Sequence, residues 1–317
     1  MDPISHAALG ASCAQVMLGK YNKNIPWQMG ALAAMAPDLD IFIRFKNDPM
    51  STEFWHRHFT HSLLFIPLGA LIVALFFLYF TRYRRDWKIT IAAVLIGYAT
   101  HGFLDALTAY GTLLYWPISD FRVSWDIMAI VDPIFTIPLI LGTLWSVMHE
   151  EQKGALIGLL CAALMVFFNT MQHYRALQVV KEVVVQQKIQ LTNIRVMPEL
   201  ASSVNWRSIA KNNNCLLINQ IHTPLLQKSR VIPIRKVPLF SSLKGLNLSQ
   251  NQQKNLAIFD WFSNYSLVIA EYDPLILVDA RYTVGQDPLY ALWGIKLDPQ
   301  QEQINKLSYI KIKESCP

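Results

Sequence analysis

Residues 61–80, HSLLFIPLGALIVALFFLYF, form an apolar run without an aspartate, glutamate, lysine or arginine, and this run limits the fold more than any other feature. A helix of this length crosses the roughly 30 Å hydrocarbon core of a bilayer. Three other apolar segments are equally clear, and two weaker ones precede them, the second interrupted by Pro37. We therefore expect an all-α polytopic membrane domain with spans at 6–19, 26–45, 61–80, 88–109, 127–148 and 154–173.

The second part of the chain has a different composition. Residues 175–317 contain 17 Lys/Arg against 10 Asp/Glu, whereas residues 1–174 are close to neutral. Alternating or β-branched stretches at 183–194, 204–210, 215–222 and 275–284 indicate strands. Asparagines 212–214 indicate a hairpin, and 250–264 has the pattern of an amphipathic helix. The sequence predicts a transmembrane domain over 1–174 followed by a small α+β extramembrane domain over 175–317.

Charge also predicts location and partners. The loop with Arg82, Arg84, Arg85 and Lys88 should be cytoplasmic by the positive-inside rule, which places 175–317 outside an inner (plasma) membrane. A basic domain next to a bilayer indicates attraction to anionic lipid, and no motif predicts a nucleic-acid partner. Cys215 and Cys316 can pair only if this part faces an oxidising compartment, and the sequence leaves that open.

Histidines and aspartates concentrate in the first part, where five of the eight histidines lie between residues 6 and 101. His101 and Asp105 are four residues apart, so they share one helix face. Ionisable groups inside a span are costly and indicate function, although a His–Asp hydrogen bond between packed helices is an alternative. In the predicted topology, candidate metal ligands from four segments meet near the outer surface: His6, Asp38, Asp40, His56, His61, His101 and Asp105.

The ligand types favour a divalent metal. A mixed histidine and carboxylate set suits Zn²⁺, with Mn²⁺ or Fe²⁺ as alternatives. Seven candidates exceed the needs of a closed tetrahedral site, so two ions are also compatible with the sequence. Pro37 would break a helix beside Asp38 and Asp40, as at other membrane ion sites, although an ordinary loop explains it too. Asp132, before Pro133, is either a partner of a ligating histidine or a helix N-cap.

Five motifs occur in order within residues 4–140: SHAALG, APDLD, HRHFTHS, HGFLDALTAYGT and VDP. Together they resemble the bacterial membrane-bound metal-dependent hydrolase family of the inner membrane. The resemblance implies that the seven residues above form the site, with Arg57, Thr60 and Ser62 acting close by. The chain departs from the family at His58, where a small residue such as glycine is usual, so His58 is not included as a ligand. Residues 205–207 and 279–282 also look like this family's outer domain.

These observations predict a metal-dependent hydrolase of an ester or phosphoester on an anionic, membrane-associated substrate. Metal-activated water would be the nucleophile, Asp38 or Asp105 the general base, and Arg57 would hold an anionic group. From the outer domain, Arg207 or Arg281 is expected to bind the substrate, although Arg281 paired with Asp279 would be an ordinary structural contact. The alternative function is a metal-binding transport, sensing or regulatory membrane protein without hydrolysis.

Overall fold

The computed structural model describes residues 1–46, 48–186, 191–243, 245–298 and 300–316. Helices of very different length form most of the first half of the chain. The helices are α1 (Pro3–Leu18), α2 (Ile25–Met35), α3 (Ser51–Trp55), α4 (Ile66–Leu78), α5 (Thr81–Arg84), α6 (Trp87–Ala106), α7 (Pro133–His149) and α8 (Lys153–Gln186). Short 3₁₀ turns lie between them at Ala36–Phe42, Phe59–His61 and Leu63–Phe65.

The predicted all-α polytopic membrane domain with six spans is wrong. Within the described residues, two helices are long and apolar enough to cross a membrane, Trp87–Ala106 and Lys153–Gln186. A third span results only if Ser51–His61 and Leu63–Leu78, which are bent by 59°, count as one. The described chain also contains two antiparallel β-sheets. Length and composition therefore support far fewer spans than the apolar segments suggested.

Helix-ending residues explain the difference. The expected segment 26–45 divides into the 11-residue helix α2 and a 3₁₀ turn that starts beside Pro37. The segment 61–80 begins with 3₁₀ turns and leaves only 13 residues for α4. The segment 127–148 becomes helical only at Pro133, and α7 has 17 residues. The apolar segments of the sequence thus identified hydrophobic stretches correctly, but they overestimated the length of each continuous helix.

Small residues allow α1, α2 and α6 to pack closely. A Cβ atom on Gly10 would lie 2.4 Å from the Gly30 carbonyl oxygen, and one on Gly97 would lie 2.2 Å from the same oxygen. Only glycine permits backbones to approach to this distance, as at many helix crossings in membranes. The close packing brings residues near the ends of α1 and α6 within reach of each other.

The second half contains the strands. A four-stranded antiparallel sheet has the order β1-β2-β3-β4, and a five-stranded sheet has the order β5-β6-β8-β7 with β9 paired to β8. The strands and the remaining helix are β1 (Asn193–Pro198), β2 (Asn205–Asn212), β3 (Cys215–His222), β4 (Arg230–Pro238), α9 (Gln250–Phe262), β5 (Leu267–Tyr272), β6 (Leu275–Asp279), β7 (Thr283–Val284), β8 (Tyr290–Leu297) and β9 (Asn305–Lys311).

The strand predictions at 204–210 and 215–222 agree with the first sheet, and the predicted strand at 275–284 is divided by a 3₁₀ turn at Ala280–Tyr282. Residues 183–194 do not form one strand. Val183–Gln186 continue α8, residues 187–190 lie outside the described residues, and β1 begins at Asn193. The end of α8 packs on the first sheet, where Ala176 and Val180 belong to the same buried hydrophobic cluster as Trp206. The valines at 183–185 thus lie in a helix, because tertiary packing overrides the β-preference of valine.

Two compact units account for these elements. The first comprises Met1–Ile43 and Trp55–Met171, and the second comprises Arg44–Phe54 and Gln172–Pro317. The sequence predicted a boundary after residue 174 and gave no sign that 44–54 belongs with the second unit. Within that unit, Asp48 pairs with Lys254 at 3.1 Å and Glu53 pairs with Lys306 at 2.7 Å.

Candidate metal centre

The first turn of α1 positions His6. Pro3 occupies the start of the helix, and the Asp2 carboxylate accepts hydrogen bonds from the backbone N–H of Ile4 and Ser5 at 3.1 and 3.0 Å. This N-cap fixes the first turn, as short acidic side chains commonly do. The His6 ring then stacks on the His101 ring of α6, with centroids 3.8 Å apart.

Helix α6 carries two predicted ligands, His101 and Asp105, and allows a third, His61, to approach them. His101 and Asp105 are both fully buried, and His101 Nε2 lies 3.4 Å from Asp105 Oδ2. A Cβ atom on Gly102 would lie 2.4 Å from the His61 carbonyl oxygen, so glycine here lets the Phe59–His61 turn approach the helix. The Tyr98 hydroxyl donates to the Thr60 carbonyl oxygen at 2.9 Å and holds that turn in place.

Four side chains converge on one point: Asp38, His61, His101 and Asp105, whose ligand atoms all lie within 4.8 Å of one another. The Nε2 atoms of His61 and His101 are 2.9 Å apart. Asp38 Oδ1 is 3.4 Å from each of these nitrogens, and Asp105 Oδ2 is 3.3 Å from His61 Nε2. This arrangement of two imidazoles and two carboxylates could hold a metal ion.

Hydrogen bonds at the opposite side of each imidazole fix its tautomer. His101 Nδ1 donates to the Ala34 carbonyl oxygen at 2.5 Å, and His61 Nδ1 lies 3.2 Å from Asp40 Oδ2. Because a carbonyl and a carboxylate only accept, the ring proton belongs on Nδ1 in both residues. Nε2 is then the nitrogen of each ring that faces the cluster, and it would be the metal-binding atom of each histidine.

Asp40 is the centre of a second group of contacts. Its Oδ1 accepts from His56 Nδ1 at 2.7 Å, and its Oδ2 accepts from the Arg57 backbone N–H at 3.0 Å and the Thr60 hydroxyl at 2.6 Å. Asp38, Asp40 and His56 could also approach one ion, but both Asp40 oxygens already have donors. The hydrogen bonds make Asp40 well suited to orient His56 and His61.

Arg57 is buried against Asp105. Its Nε lies 3.1 Å from Asp105 Oδ2, and Nη1 donates to the Thr108 hydroxyl at 3.1 Å. The Arg57 backbone has φ +62°, a left-handed conformation that is uncommon for arginine. Asp105 Oδ1, on the other side, contacts His6 Nε2 at 3.1 Å and the Met1 amino nitrogen. A positive group thus accompanies the carboxylates at the centre of the cluster.

The predicted residues fall into three groups according to their contacts. Asp38, His61, His101 and Asp105 face one another, His6 and Arg57 contact Asp105, and Asp40 with His56 lies behind His61. His58 packs among the Trp55 and Trp116 rings, apart from these groups. Ser62 caps a 3₁₀ turn, and Asp132 caps α7 through Ile134 and Phe135, which is the N-cap that the sequence left open.

Sequence reasoning missed two neighbours of Arg57. The Thr108 hydroxyl accepts from Arg57 and donates to the Asp105 carbonyl oxygen at 2.8 Å, and the Tyr110 ring centre is 4.4 Å from the guanidinium carbon. Thr108 is three residues after Asp105, so extending the helix face by one turn would have found it. Tyr110 lies beyond the end of α6 and carried no such periodic signal.

The arginines predicted to bind substrate have partners within the second unit. Arg281 Nη2 pairs with Asp279 Oδ2 at 2.7 Å, and both side chains are fully buried. Arg207 pairs with Glu199 at 3.2 Å and donates to the Thr283 hydroxyl at 3.1 Å. Their role toward a substrate stays a prediction. In the same unit Cys215 and Cys316 form a disulfide, the pairing that the sequence left undecided.

Comparisons with known proteins agree with the membrane assignment. A 107-residue stretch is 30% identical to the uncharacterized protein YfhP of Bacillus subtilis (strain 168), covering 33% of this chain and 31% of that protein. The match therefore spans about a third of that relative's length. No solved structure matches the chain. The family model described as "YdjM inner membrane protein" matches residues 1–176, more than half of the chain, and the protein therefore belongs to the YdjM inner membrane protein family.

Proposed function

We propose that this protein is a membrane-embedded, metal-dependent hydrolase of an ester or phosphoester. The observation that carries the proposal is the convergence of Asp38, His61, His101 and Asp105 within 4.8 Å. Two imidazoles with fixed tautomers and two carboxylates suit Zn²⁺, with Mn²⁺ or Fe²⁺ as alternatives. His6, Asp40 and His56 surround this set and would support either one ion or two.

Unsatisfied oxygens at the centre support a resident cation. Asp38 Oδ1 is buried and accepts no hydrogen bond within the described part of the chain, and Asp105 Oδ2 has only ion-pair contacts, the shortest with Arg57 Nε at 3.1 Å and His61 Nε2 at 3.3 Å. Buried carboxylate oxygens are ordinarily paired, because leaving one unpaired costs free energy. With neutral imidazoles, the carboxylates of Asp38, Asp40 and Asp105 outnumber the two basic groups that contact Asp105, the Arg57 guanidinium and the Met1 amino group. A divalent ion would supply that balance.

The surrounding residues match the needs of hydrolysis. A bound divalent ion lowers the pKa of water and stabilises charge that develops on a carbonyl or phosphoryl oxygen. Asp38 is the most open of the four central residues, with 23% of its side chain exposed, so its carboxylate is placed to accept a proton from water. Arg57 brings a fixed positive charge beside Asp105 and would attract an anionic substrate group.

The substrate is proposed to be anionic and associated with the membrane. The family is an inner membrane one, and residues 175–317 carry an excess of seven basic over acidic residues. A basic domain concentrates anionic molecules at a membrane surface. These features favour a lipid headgroup or a phosphoester that collects at the bilayer.

The second unit is proposed to face the extracytoplasmic side. Asn22 bonds to Asp86 at 3.4 Å and Lys23 bonds to Glu150 at 2.5 Å, so the starts of α6 and α8 lie at the same end of the first unit. If the basic loop before α6 is cytoplasmic, α8 leads outward. The Cys215–Cys316 disulfide supports an oxidising compartment. A reporter enzyme fused to the C-terminal end should be active only outside the cytoplasm.

Metal analysis of the full-length protein tests the proposal. The purified protein should contain a divalent metal, lose it to a chelator and hydrolyse chromogenic ester or phosphoester substrates only when the metal is restored. His149→Ala is the matched control for site variants, because His149 is exposed and bonds to the Trp145 carbonyl oxygen of its own helix. Metal binding without turnover on any substrate class would favour the transport, sensing or regulatory alternative. Absence of bound metal under all conditions would overturn the proposal.

A further inference from the structure

The end of the apolar part of α8 marks where this helix should leave a bilayer. Between Lys153 and Arg175 the helix has no aspartate, glutamate, lysine or arginine, and His173 is its only histidine. This stretch corresponds to about 32 Å at 1.5 Å per residue, close to the thickness of a hydrocarbon core. Phe167, Met171 and Tyr174 are exposed along it, and tyrosine is typical of the membrane–water interface. Gln172 and Arg175 therefore lie at that interface.

Two turns of the first sheet are tied to α8 at this level. Gln172 Nε2 donates to the Ser203 and Thr223 carbonyl oxygens at 3.2 and 2.9 Å. Arg175 Nη2 donates to the Pro224 carbonyl oxygen at 3.0 Å. The β1–β2 turn (199–204) and the β3–β4 turn (223–229) belong to the same end of the sheet, because Asn205 pairs with His222 and His222 with Arg230. This end of the sheet is thus held at the interface.

The side chains at this end are apolar and exposed. Leu200, Leu225 and Leu226 are 74, 64 and 98% exposed. At the opposite end of the sheet, the β2–β3 turn exposes Asn213 and Asn214 instead. Clustered exposed leucines are costly in water and mark an interaction surface. We name the residues of the first set, Leu200, Leu225 and Leu226, the leucine edge.

Basic residues lie next to the leucine edge. Lys228 and Arg230 are two and four residues after Leu226, and both are exposed. Apolar side chains flanked by lysine and arginine suit the headgroup region of a bilayer, where leucines enter the acyl boundary and cations meet phosphate. Attraction to anionic lipid adds to the effect of apolar burial.

We propose that the leucine edge inserts into the headgroup region of the leaflet next to the second unit, and that Lys228 and Arg230 bind anionic lipid there. The leucine edge would hold the first sheet against the bilayer at the β1–β2 and β3–β4 turns, in addition to the attachment of the sheet to α8. The proposal requires α8 to cross the membrane but does not depend on metal binding or hydrolysis.

Site-specific fluorescence in nanodiscs tests the insertion. An environment-sensitive fluorescent amino acid replaces Leu226 in the full-length protein, and the same label at Asn214 serves as the control on the opposite end of the sheet. In nanodiscs of phosphatidylcholine and phosphatidylglycerol, the label at 226 should emit at shorter wavelength. It should also be quenched several-fold more by lipids brominated near the headgroup. Equal emission and equal quenching at the two positions would overturn the insertion.

A charge reversal tests the lipid preference separately. With the label at 226, quenching should be stronger in discs that contain phosphatidylglycerol than in discs of phosphatidylcholine alone. The Lys228→Glu/Arg230→Glu variant should lose this difference, whereas Lys311→Glu, a reversal of an exposed lysine on β9, should keep it. If the double reversal retains the difference, Lys228 and Arg230 do not bind anionic lipid.

Discussion

Buried charges occur in both units, but they are satisfied in different ways. In the second unit Arg281 and Asp279 form a closed pair, with Nε–Oδ1 at 3.0 Å and Nη2–Oδ2 at 2.7 Å. In the first unit Asp38 keeps a buried oxygen that accepts no hydrogen bond from the described residues, and Asp105 Oδ2 is shared between Arg57 Nε at 3.1 Å and the imidazole nitrogen of His61 at 3.3 Å. The charges of the closed pair are matched within the protein, whereas the first-unit cluster keeps an excess of carboxylate oxygens that could bind a metal ion. Burial and charge alone do not separate a structural site from a functional one; the balance of donors and acceptors does.

Removing a central ligand should give the largest effect. We expect His101→Ala or Asp105→Ala to weaken metal binding by more than the roughly 10–100-fold that outer residues cost, because each residue is a direct ligand in the proposed centre. Metal content and dissociation constants of purified variants measure this. His149→Ala should bind metal normally. Full metal occupancy in His101→Ala would make His101 and Asp105 a helix-packing pair.

Breaking the closed pair should reduce stability instead. Arg281→Ala leaves the Asp279 carboxylate buried without its partner, which we expect to lower the free energy of unfolding by about 3–5 kcal/mol. Denaturant unfolding of the purified protein measures the change, and metal content should not move.

The matched control for this pair is Asp279→Leu/Arg281→Met, which should be much less destabilised because it leaves no buried charge. If Arg281 binds substrate as well, Arg281→Ala will raise KM for an anionic substrate under conditions where the protein is folded. An unchanged KM would limit Arg281 to a structural role.

A substitution of Asp40 tests the contribution of the residues that lie behind His61. Asp40→Asn keeps the size of the side chain but loses the charge that faces His56 and His61, so we expect metal affinity to fall about 10–100-fold. Isothermal titration with Zn²⁺ measures the affinity. A loss as large as in Asp105→Ala would mean that Asp40 is itself a ligand.

Asp132 should give the smallest effect. Its carboxylate accepts from the backbone N–H groups of Ile134 and Phe135, so Asp132→Ala should cost about 1 kcal/mol of stability. Asp132→Asn should cost less, since asparagine also caps helices. Metal affinity should stay at the wild-type value in both variants. A lower affinity would connect Asp132 to the metal centre.

Local spacing predicted some contacts of the site well. The four-residue separation of His101 and Asp105 determines a shared helix face whatever the rest of the fold does. The contacts of His6 and Asp40 were not derivable in this way, because they depend on how closely glycines let helices pack. The number of spans was overestimated because hydropathy does not register that α2 ends beside Pro37 or that 3₁₀ turns precede α4. Pairings such as Asp48 with Lys254 link residues far apart in sequence and leave no periodic signal.

The packing of residues 44–54 with the second unit has a consequence for biosynthesis. This segment lies between Asp40 and His56 in the chain, and its salt-bridge partners, Lys254 and Lys306, follow Asp48 and Glu53 by 206 and 253 residues. A ribosome completes the histidines and aspartates of the centre long before it makes these lysines. Residues 44–54 can therefore form these salt bridges only after the C-terminal part of the chain has been synthesised.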